Sequence, residues 1–287
     1  YYASRGLGDV YKRQSKYSYY QRPCWLGIRR AWLFIENVDR VPDMKEAEKQ
    51  RLKAEAKVII AMHYCDLFRH YGGVPIVDHA YTANEDMQKE RGTVQETLDF
   101  IVNLLDEAAD VLPWAMSAAE NREWEGRLTK ASAMGLKARI LLFAASPLFN
   151  SSEPYMPGEA ADKRLMWFGS YKPELWTQAL AAHKAFFDEL NKNGQYGLVY
   201  KSDPRQAFRS GYLDRGTGEA IIATHYGYTV PDYWTWGWSY YETAGDAGTA
   251  CGTQELVDMF PMIDGLPITE SKLYCLLYTS DAADEGL

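Results

Sequence analysis

The sequence lacks an excess of basic residues. Its 31 lysines and arginines are outnumbered by 39 aspartates and glutamates, which gives a formal net charge of −8 at pH 7. A protein that holds nucleic acid by its phosphates needs a basic face. The charge balance therefore predicts that nucleic acid is not a partner of this protein.

Cysteines are few, and the common catalytic motifs are absent. The four cysteines (Cys24, Cys65, Cys251 and Cys275) have no Cys-x-x-Cys spacing, which argues against a zinc site and against the disulfide framework of a small secreted domain. The sequence also has no phosphate-binding loop, dinucleotide fingerprint, Gly-x-Ser-x-Gly motif or His-Glu-x-x-His motif. We therefore predict a protein without a metal or cofactor that is not an enzyme.

No apolar run is long enough to cross a membrane. The most apolar stretch covers residues 131–145, and the charges of Lys137 and Arg139 interrupt it. Thr129 is placed to cap the start of a helix here, and Pro147 ends it because the residue before a proline disfavours helical backbone. A helix that is apolar on most faces is surrounded by protein. The stretch therefore predicts a central helix with other helices packed around it.

Helical spacing of apolar residues recurs in four other stretches. Glycine or proline marks most of their ends, and a capping box (TVQE, 93–96) opens one of them. The predicted helices cover about 25–40, 44–71, 93–112 and 173–193. Part of the last one, around Trp176 and Ala179, echoes the tetratricopeptide pattern. We predict a mainly α fold, with tetratricopeptide-like helical hairpins over residues 25–193.

The chain changes character after Gly194. Glycine, proline and aromatic residues become frequent, and helical periodicity stops. We predict an irregular, loop-rich part over residues 194–274 that carries little β structure. Within it, residues 219–224 (EAIIAT) are predicted to form a strand and residues 254–260 a short helix, followed by a turn at Asp264–Gly265.

The two ends of the chain differ from the rest. Residues 1–14 (ending GLGDVYKRQ) and 275–287 (CLLYTSDAADEGL) continue neither a helical nor a strand pattern from their neighbours, and they resemble translated sequencing-adapter tails. We interpret both as non-native and take residues 15–274 as the domain. Few contacts are therefore expected at either end.

The predicted central helix carries two cations whose surroundings need an explanation. Lys137 and Arg139 point about 200 degrees apart on a helix of about 3.6 residues per turn, so they cannot face the same solvent. At least one should lie within the bundle, where an unpaired charge is costly. Glu55 begins the apolar half of the second helix. We therefore predict a Glu55–Arg139 or a Glu55–Lys137 ion pair.

Aromatic residues are abundant, with 21 tyrosines and 9 tryptophans, and they are densest in YWTWGWSYY (233–241). Alternate residues of an extended segment share a face, so Trp234, Trp236 and Trp238 would form one flat wall. A sugar ring has an apolar C–H face that an indole covers, while nearby carboxylates and hydroxyls bind its polar rim. The alternative is that these rings form the core of the loop-rich part.

We predict a glycan site on this aromatic stripe. The segment 15–25 (SKYSYYQRPCW) is also polar and aromatic, and we predict that it forms a loop and a second wall. The predicted glycan-binding residues are Trp234, Trp236, Trp238, Tyr233, Tyr240 and Asp232, together with Tyr19, Tyr20 and Trp25.

Three stretches resemble the motifs of one family. They are EAKVIIAMHYCDLFRHYGGVPIV (55–77), GRLTKASAMGLKARILLFAASPLFN (126–150) and GTQELVDMFPMIDGLPI (252–268), and they occur in the family's order. The family is SusD/RagB, whose members are lipid-anchored glycan-binding proteins on the surface of the Bacteroidetes outer membrane. The resemblance implies a surface protein that captures oligosaccharides with loop aromatics over a helical scaffold.

The resemblance also implies a partner. This is a SusC-like TonB-dependent transporter of the outer membrane, on which the SusD-like protein sits as a lid. Neither a signal peptide nor a lipidation cysteine is visible in the sequence, so the resemblance implies that the export signal and the lipid anchor belong to residues outside this fragment.

Two other functions stay open on the sequence alone. The carboxylates of Glu219, Asp232, Glu242 and Asp246 lie near the aromatic stripe in the sequence. Two of them would serve a glycoside hydrolase on a helical scaffold if they stood at the right separation. A tetratricopeptide-type scaffold would instead bind another protein.

Overall fold

The computed structural model describes residues 18–86, 88–116, 126–214, 216–223, 255 and 258–273, with side chains from Cys24 onward. Within these residues the chain forms seven α-helices, one 3-10 helix and no strand, which confirms the predicted mainly α fold class. The α-helices are α1 (Ser18–Asn37), α2 (Glu46–Tyr71), α3 (Val94–Val111), α4 (Lys130–Ala145), α5 (Glu159–Asp162), α6 (Glu174–Asn193) and α7 (Pro204–Leu213). None of these described helices is long and apolar enough to cross a membrane.

Capping residues fix where two of the helices begin. Thr93 and Glu96 form the predicted capping box of α3: the Thr93 N–H donates to the Glu96 carboxylate at 2.7 Å, and the Glu96 N–H donates to the Thr93 hydroxyl at 3.1 Å. Thr129 caps α4 in the same way, with Ser132 in place of the glutamate. Such caps satisfy N–H groups that have no partner inside the helix. The predicted starts of both helices are therefore confirmed.

Successive long helices pack against each other along the chain. α1 packs on α2, α2 on α3, α3 on α4, and α4 on α6, which is the arrangement of tetratricopeptide-like hairpins. Most of the stability of such a bundle comes from packing of apolar faces rather than from helix propensity. The largest fully buried side chains between the helices include Ile28, Tyr64, Phe68, Ile101 and Ile140.

The central helix α4 is less enclosed than the sequence predicts. It contacts α2, α3 and α6, and its small residues Ala133 and Ala144 are fully buried. On another face, however, Arg139 is exposed and Leu142 is 45% exposed. The prediction that other helices pack around α4 is therefore right for only part of its surface. An apolar composition alone does not tell how many sides of a helix are covered.

The structure corrects the predicted charge pair. Glu55 is buried, but its carboxylate binds the guanidinium of Arg127, with N–O distances of 2.7 and 2.8 Å. Lys137 binds Asp106 at 2.6 Å, and Arg139 is exposed to solvent. The Glu55–Arg139 and Glu55–Lys137 predictions are therefore wrong. Long cationic side chains can reach the surface from a crowded helix, so neither cation needs to turn into the bundle.

Two helical segments differ from the predictions. The sequence predicts a loop over 15–25, but α1 already begins at Ser18. Helix α7 is not predicted at all, because it is only ten residues long and contains Gly211, within a part of the chain where glycine and proline are frequent. Its start is nevertheless well marked: Asp203 accepts a hydrogen bond from the Arg205 N–H at 2.9 Å, and Pro204 occupies the first helical position. Proline is common at that position because it lacks the N–H that would stay unpaired there.

The predicted strand at 219–224 is wrong for its described residues, 219–223, which form turns and bends. The Glu219 carboxylate accepts a hydrogen bond from the Val199 N–H at 2.8 Å. The Ala220 N–H donates to the Thr217 carbonyl at 3.2 Å. The bond between Ala220 and Thr217, three residues apart, turns the chain, and the Glu219 side chain binds a distant backbone group instead of a neighbouring strand.

The chain divides into two compact units, Tyr1–Thr224 and His225–Leu287, and α1 to α7 all belong to the first. In the second unit, the Gly265 N–H donates to the Met262 carbonyl at 2.8 Å, and Gly265 has a φ of 79°. That region of backbone conformation favours glycine, which has no Cβ to clash. The predicted turn at Asp264–Gly265 is therefore confirmed.

Some predictions fall outside the described residues. The two predicted non-native tails, 1–14 and 275–287, lie there entirely, so their origin stays a prediction. Of the predicted short helix 254–260, Glu255 and Asp258 are helical, whereas Met259 and Phe260 form a turn and a bend, so the prediction is wrong for its last two residues.

Candidate functional site

Most of the predicted glycan-binding residues lie outside the described part of the chain. This holds for the whole aromatic stripe from residue 232 to residue 241. Tyr19 and Tyr20 belong to the first turn of α1, but their side chains are outside the described part as well. Of the predicted glycan-binding residues, Trp25 alone has a described side chain, and it is half-buried against the core.

Trp25 lines an open groove of about 480 Å³ between α1 and the chain that follows α2. This volume lies in the range of small-ligand sites. The described lining residues combine apolar and aromatic side chains with two cations and a histidine, and none of them carries a carboxylate. The groove is lined by Trp25, Arg29, Pro75, Val77, His79, Tyr81, Ala83 and Lys89.

Tyr64 of α2 fixes the floor of the groove. Its hydroxyl accepts the Val77 N–H at 2.7 Å and donates to the Pro75 carbonyl at 3.0 Å. Its ring is fully buried and lies edge-on to Trp25, with 6.1 Å between the ring centroids. Burial raises the pKa of the Tyr64 hydroxyl, so the group keeps its proton and can act as the donor. The Trp32 indole N–H adds a hydrogen bond to the Val77 carbonyl at 2.9 Å.

Two side chains of α1 hold the next part of the segment. The Arg29 guanidinium donates to the Tyr81 carbonyl at 2.8 Å, and the Glu36 carboxylate accepts the Ala80 N–H at 2.9 Å. Backbone groups in an irregular segment need such partners, because no neighbouring strand supplies them. The contacts place the Tyr81 ring in the wall of the groove.

His79 is held between two carboxylates. Its Nδ1 lies 2.8 Å from Asp78 Oδ1, and its Nε2 lies 2.7 Å from Glu85 Oε2. The hydrogen bond to Glu85, and next the one to Asp78, raises the pKa of His79 above its usual value. The same contact with His79 lowers the pKa of Glu85 to about 2. A protonated His79 donates both hydrogen bonds at once, and so ties the segment 78–85 together.

We expect His79 to titrate above its reference pKa of about 6.5. Because the folded pKa is the raised one, the two hydrogen bonds stabilise the fold fully below about pH 6.5, and this contribution is lost as the pH rises through the folded pKa. An NMR titration of the imidazole measures the pKa directly. The variant Glu85→Gln should bring it back toward the reference value. An unchanged His79 pKa in that variant would show that Glu85 is not the cause.

Most residues of the groove were not predicted from the sequence. Arg29, His79, Tyr81 and Lys89 belong to no motif. Three of them lie in the connection between α2 and α3, which is long and mixes aromatic with charged residues. Long ordered connections of this kind are often functional, so that signal was available. The position of Arg29 beside this connection depends on how α1 packs, which no local pattern shows.

The described part of the chain combines paired helices with a groove that is partly aromatic and rich in hydrogen-bond donors. Within that part, no group of three His, Cys, Asp or Glu residues is placed to bind a metal ion. Aromatic side chains next to donors suit ligands that have both apolar and polar surfaces. This combination of helical hairpins and a groove is typical of ligand-binding proteins.

Comparison with known proteins identifies the family. Residues 1–142 match the SusD-like_3 family, described as starch-binding and associating with the outer membrane. A SusD-like protein from Formosa agariphila is 31% identical over 117 residues, which are 40% of this chain and 21% of that protein. The structure of a SusD-like protein from Bacteroides fragilis aligns with a TM-score of 0.60 and 25% identity, covering 85% of this chain and 41% of that one. A SusD homologue from Bacteroides thetaiotaomicron, at 20% identity, shares the fold with a TM-score of 0.51 over 72% of this chain and 35% of its own.

The chain belongs to the SusD/RagB family, as the resemblance of its motifs predicts. It spans less than half the length of each of these relatives. The matched residues 1–142 contain α1, α2 and α3 and every residue that lines the groove.

Proposed function

We propose that this protein captures oligosaccharides at the cell surface and passes them to a SusC-like TonB-dependent transporter of the outer membrane. The observation that carries the proposal is the family match over residues 1–142, because that family is described as starch-binding and associating with the outer membrane. The groove beside Trp25 lies within the matched residues, which makes it the first candidate for a sugar-binding site.

The groove has the chemistry that a sugar needs. Trp25 and Tyr81 line it with aromatic rings, which pack well on the apolar C–H face of a pyranose. Sugar hydroxyls need hydrogen-bond donors as well. The Lys89 ammonium has three N–H donors, and the Arg29 guanidinium has others besides the one that binds the Tyr81 carbonyl.

We propose the aromatic stripe as a second sugar-binding surface. In an extended segment, Trp234, Trp236 and Trp238 share a face. Gly237 leaves the backbone open to close approach by a ligand. Tyr233 and Tyr240 would extend this wall, and the Asp232 carboxylate would accept hydrogen bonds from sugar hydroxyls.

Replacing Trp234, Trp236 or Trp238 by alanine should weaken oligosaccharide binding about 2- to 10-fold each, since an aromatic contact contributes roughly 0.5–1.5 kcal/mol beyond its buried area. The melting temperature should stay nearly unchanged. Trp176, which is 41% exposed on α6, gives the matched control: Trp176→Ala should leave binding unaltered. Variants of the stripe that lose stability but keep their affinity would show that these rings are core residues.

Incubation with labelled oligosaccharides separates the proposed function from its two alternatives. Binding without cleavage supports capture of glycans. Release of cleavage products would instead indicate a glycoside hydrolase, for which Asp232 and Glu242 are candidate carboxylates. Failure to bind any member of a broad glycan panel would favour a tetratricopeptide-type scaffold whose ligand is another protein.

We further propose that the whole protein is lipid-anchored and acts as a lid on the transporter. The support is again the family description, which places its members at the outer membrane. Affinity-tagged whole protein purified from mildly solubilised membranes should carry a TonB-dependent barrel with it. Recovery of the protein without any such barrel would contradict the partnership.

A further inference from the structure

The groove beside Trp25 has a positive lining. Lys89, Arg29 and His79 are among the described residues that line it, and none of those residues carries a carboxylate. The carboxylates of Asp78 and Glu85 bind the two ring nitrogens of His79. Besides His79, the charged groups among the described lining residues are those of Lys89 and Arg29.

This local charge runs against the composition of the chain, which has a net charge of −8. A positive groove on an acidic protein is therefore a specific arrangement of side chains and not a result of average composition. Clefts lined by charges of one sign concentrate ligands of the opposite sign. The charge thus favours an anionic ligand over a neutral one.

We propose that this groove binds an anionic sugar unit, one that carries a carboxylate or a sulfate group, with Lys89 and Arg29 as its charge partners and Trp25 and Tyr81 as its apolar wall. The inference rests on the proposed glycan-binding function and specifies the class of glycan.

Arg29 and Lys89 would bind the anionic sugar in different ways. Arg29 is anchored, because its guanidinium donates to the Tyr81 carbonyl at 2.8 Å. A planar guanidinium held in place can bind a carboxylate or sulfate with a fixed geometry. Lys89 supplies a compact charge, and its Nζ lies 5.3 Å from the centroid of the Tyr81 ring. It therefore stands next to the surface on which the sugar ring would pack.

The experiment compares probes that differ only in charge. Tetragalacturonate is matched with its fully methyl-esterified form, and a sulfated tetrasaccharide distinguishes sulfate from carboxylate. Calorimetric titration of the full chain should show that at least one anionic probe binds about 10-fold more tightly than the neutral ester, as expected for one charge-assisted contact. This preference should shrink as added salt screens the charges.

Two lysine variants locate the effect. Lys89→Gln should weaken binding of the anionic probe about 10-fold and binding of the neutral ester much less, because the glutamine amide still donates hydrogen bonds but carries no charge. Lys192→Gln is the matched control, because Lys192 is 72% exposed at the end of α6, and it should change neither affinity. Thermal melts of both variants should coincide with that of the parent chain, since Lys89 is itself exposed.

Three results would contradict the proposals, and they contradict different parts of them. Equal affinity for charged and neutral probes would overturn the anionic-sugar inference and leave glycan binding standing. A charge preference that survives Lys89→Gln would also overturn it, because the preference would then arise elsewhere on the chain. Absence of binding to every glycan would overturn both the inference and the proposed function.

Discussion

Replacing Glu55 by alanine should lower the free energy of unfolding by about 3–5 kcal/mol, the usual cost of breaking a buried ion pair. The Glu55 carboxylate lies 2.7 and 2.8 Å from nitrogens of Arg127, and 3.3 Å from Nε of Arg51. Its side chain is only 11% exposed. Alanine would remove the negative charge between two guanidinium groups that are themselves mostly buried. Equilibrium unfolding in urea measures the loss.

Glu107→Ala is the matched control for this experiment. Glu107 binds Lys57 at a comparable distance, 2.6 Å, but its side chain is 58% exposed. Exposed pairs contribute little, so its loss should cost less than about 1 kcal/mol. Similar losses in the two variants would show that burial of the Glu55 pair is not what gives it its strength.

Gly73→Ala should have the next largest effect, a destabilisation of about 3 kcal/mol. A Cβ atom at this position would stand 2.0 Å from the Gly92 carbonyl oxygen, which is a backbone atom and cannot rotate away. The Gly73 N–H donates to the Leu165 carbonyl at 2.7 Å, and the Gly92 N–H donates to the Val74 carbonyl at 3.1 Å. The clash would therefore separate three parts of the chain that meet just after α2, where the groove segment begins.

Gly197→Ala tests whether close approach is the cause. A Cβ atom at Gly197 would meet no atom within 4 Å, so this variant should be neutral or slightly more stable. Thermal or urea unfolding of the two variants gives the comparison. If Gly73→Ala proved as harmless as Gly197→Ala, the tight junction between Gly73 and Gly92 would not be required for the fold.

The long helices were predictable because their signals are local. The stripe of α3 and its capping box at Thr93 to Glu96 lie within one stretch of chain, and so do the cap of α4 at Thr129 and the proline that ends it. Helix α7 shows the limit of periodicity, since ten residues that include Gly211 give too short a pattern to detect. The Asp203–Pro204 pair is a typical helix start and could have predicted this helix from the sequence.

Contacts between distant parts of the chain were not predictable. Arg127 lies in an irregular stretch just before α4, and nothing in its neighbourhood in the sequence points to Glu55. The groove also depends on distant contacts, because Tyr64 binds Pro75 and Val77 while Arg29, far from both in the sequence, binds Tyr81. Such pairings depend on how helices pack, and local residue patterns do not encode them.

Hydrogen–deuterium exchange tests most directly whether a glycan binds beside Trp25. The exchange of the chain alone is compared with that of the chain saturated with an oligosaccharide from the binding assay. Binding in the groove should slow amide exchange across residues 75–89, and binding at the second surface should slow it across 233–241, while α6 stays unchanged. Unchanged exchange over 75–89 in the saturated complex would contradict a glycan site in this groove.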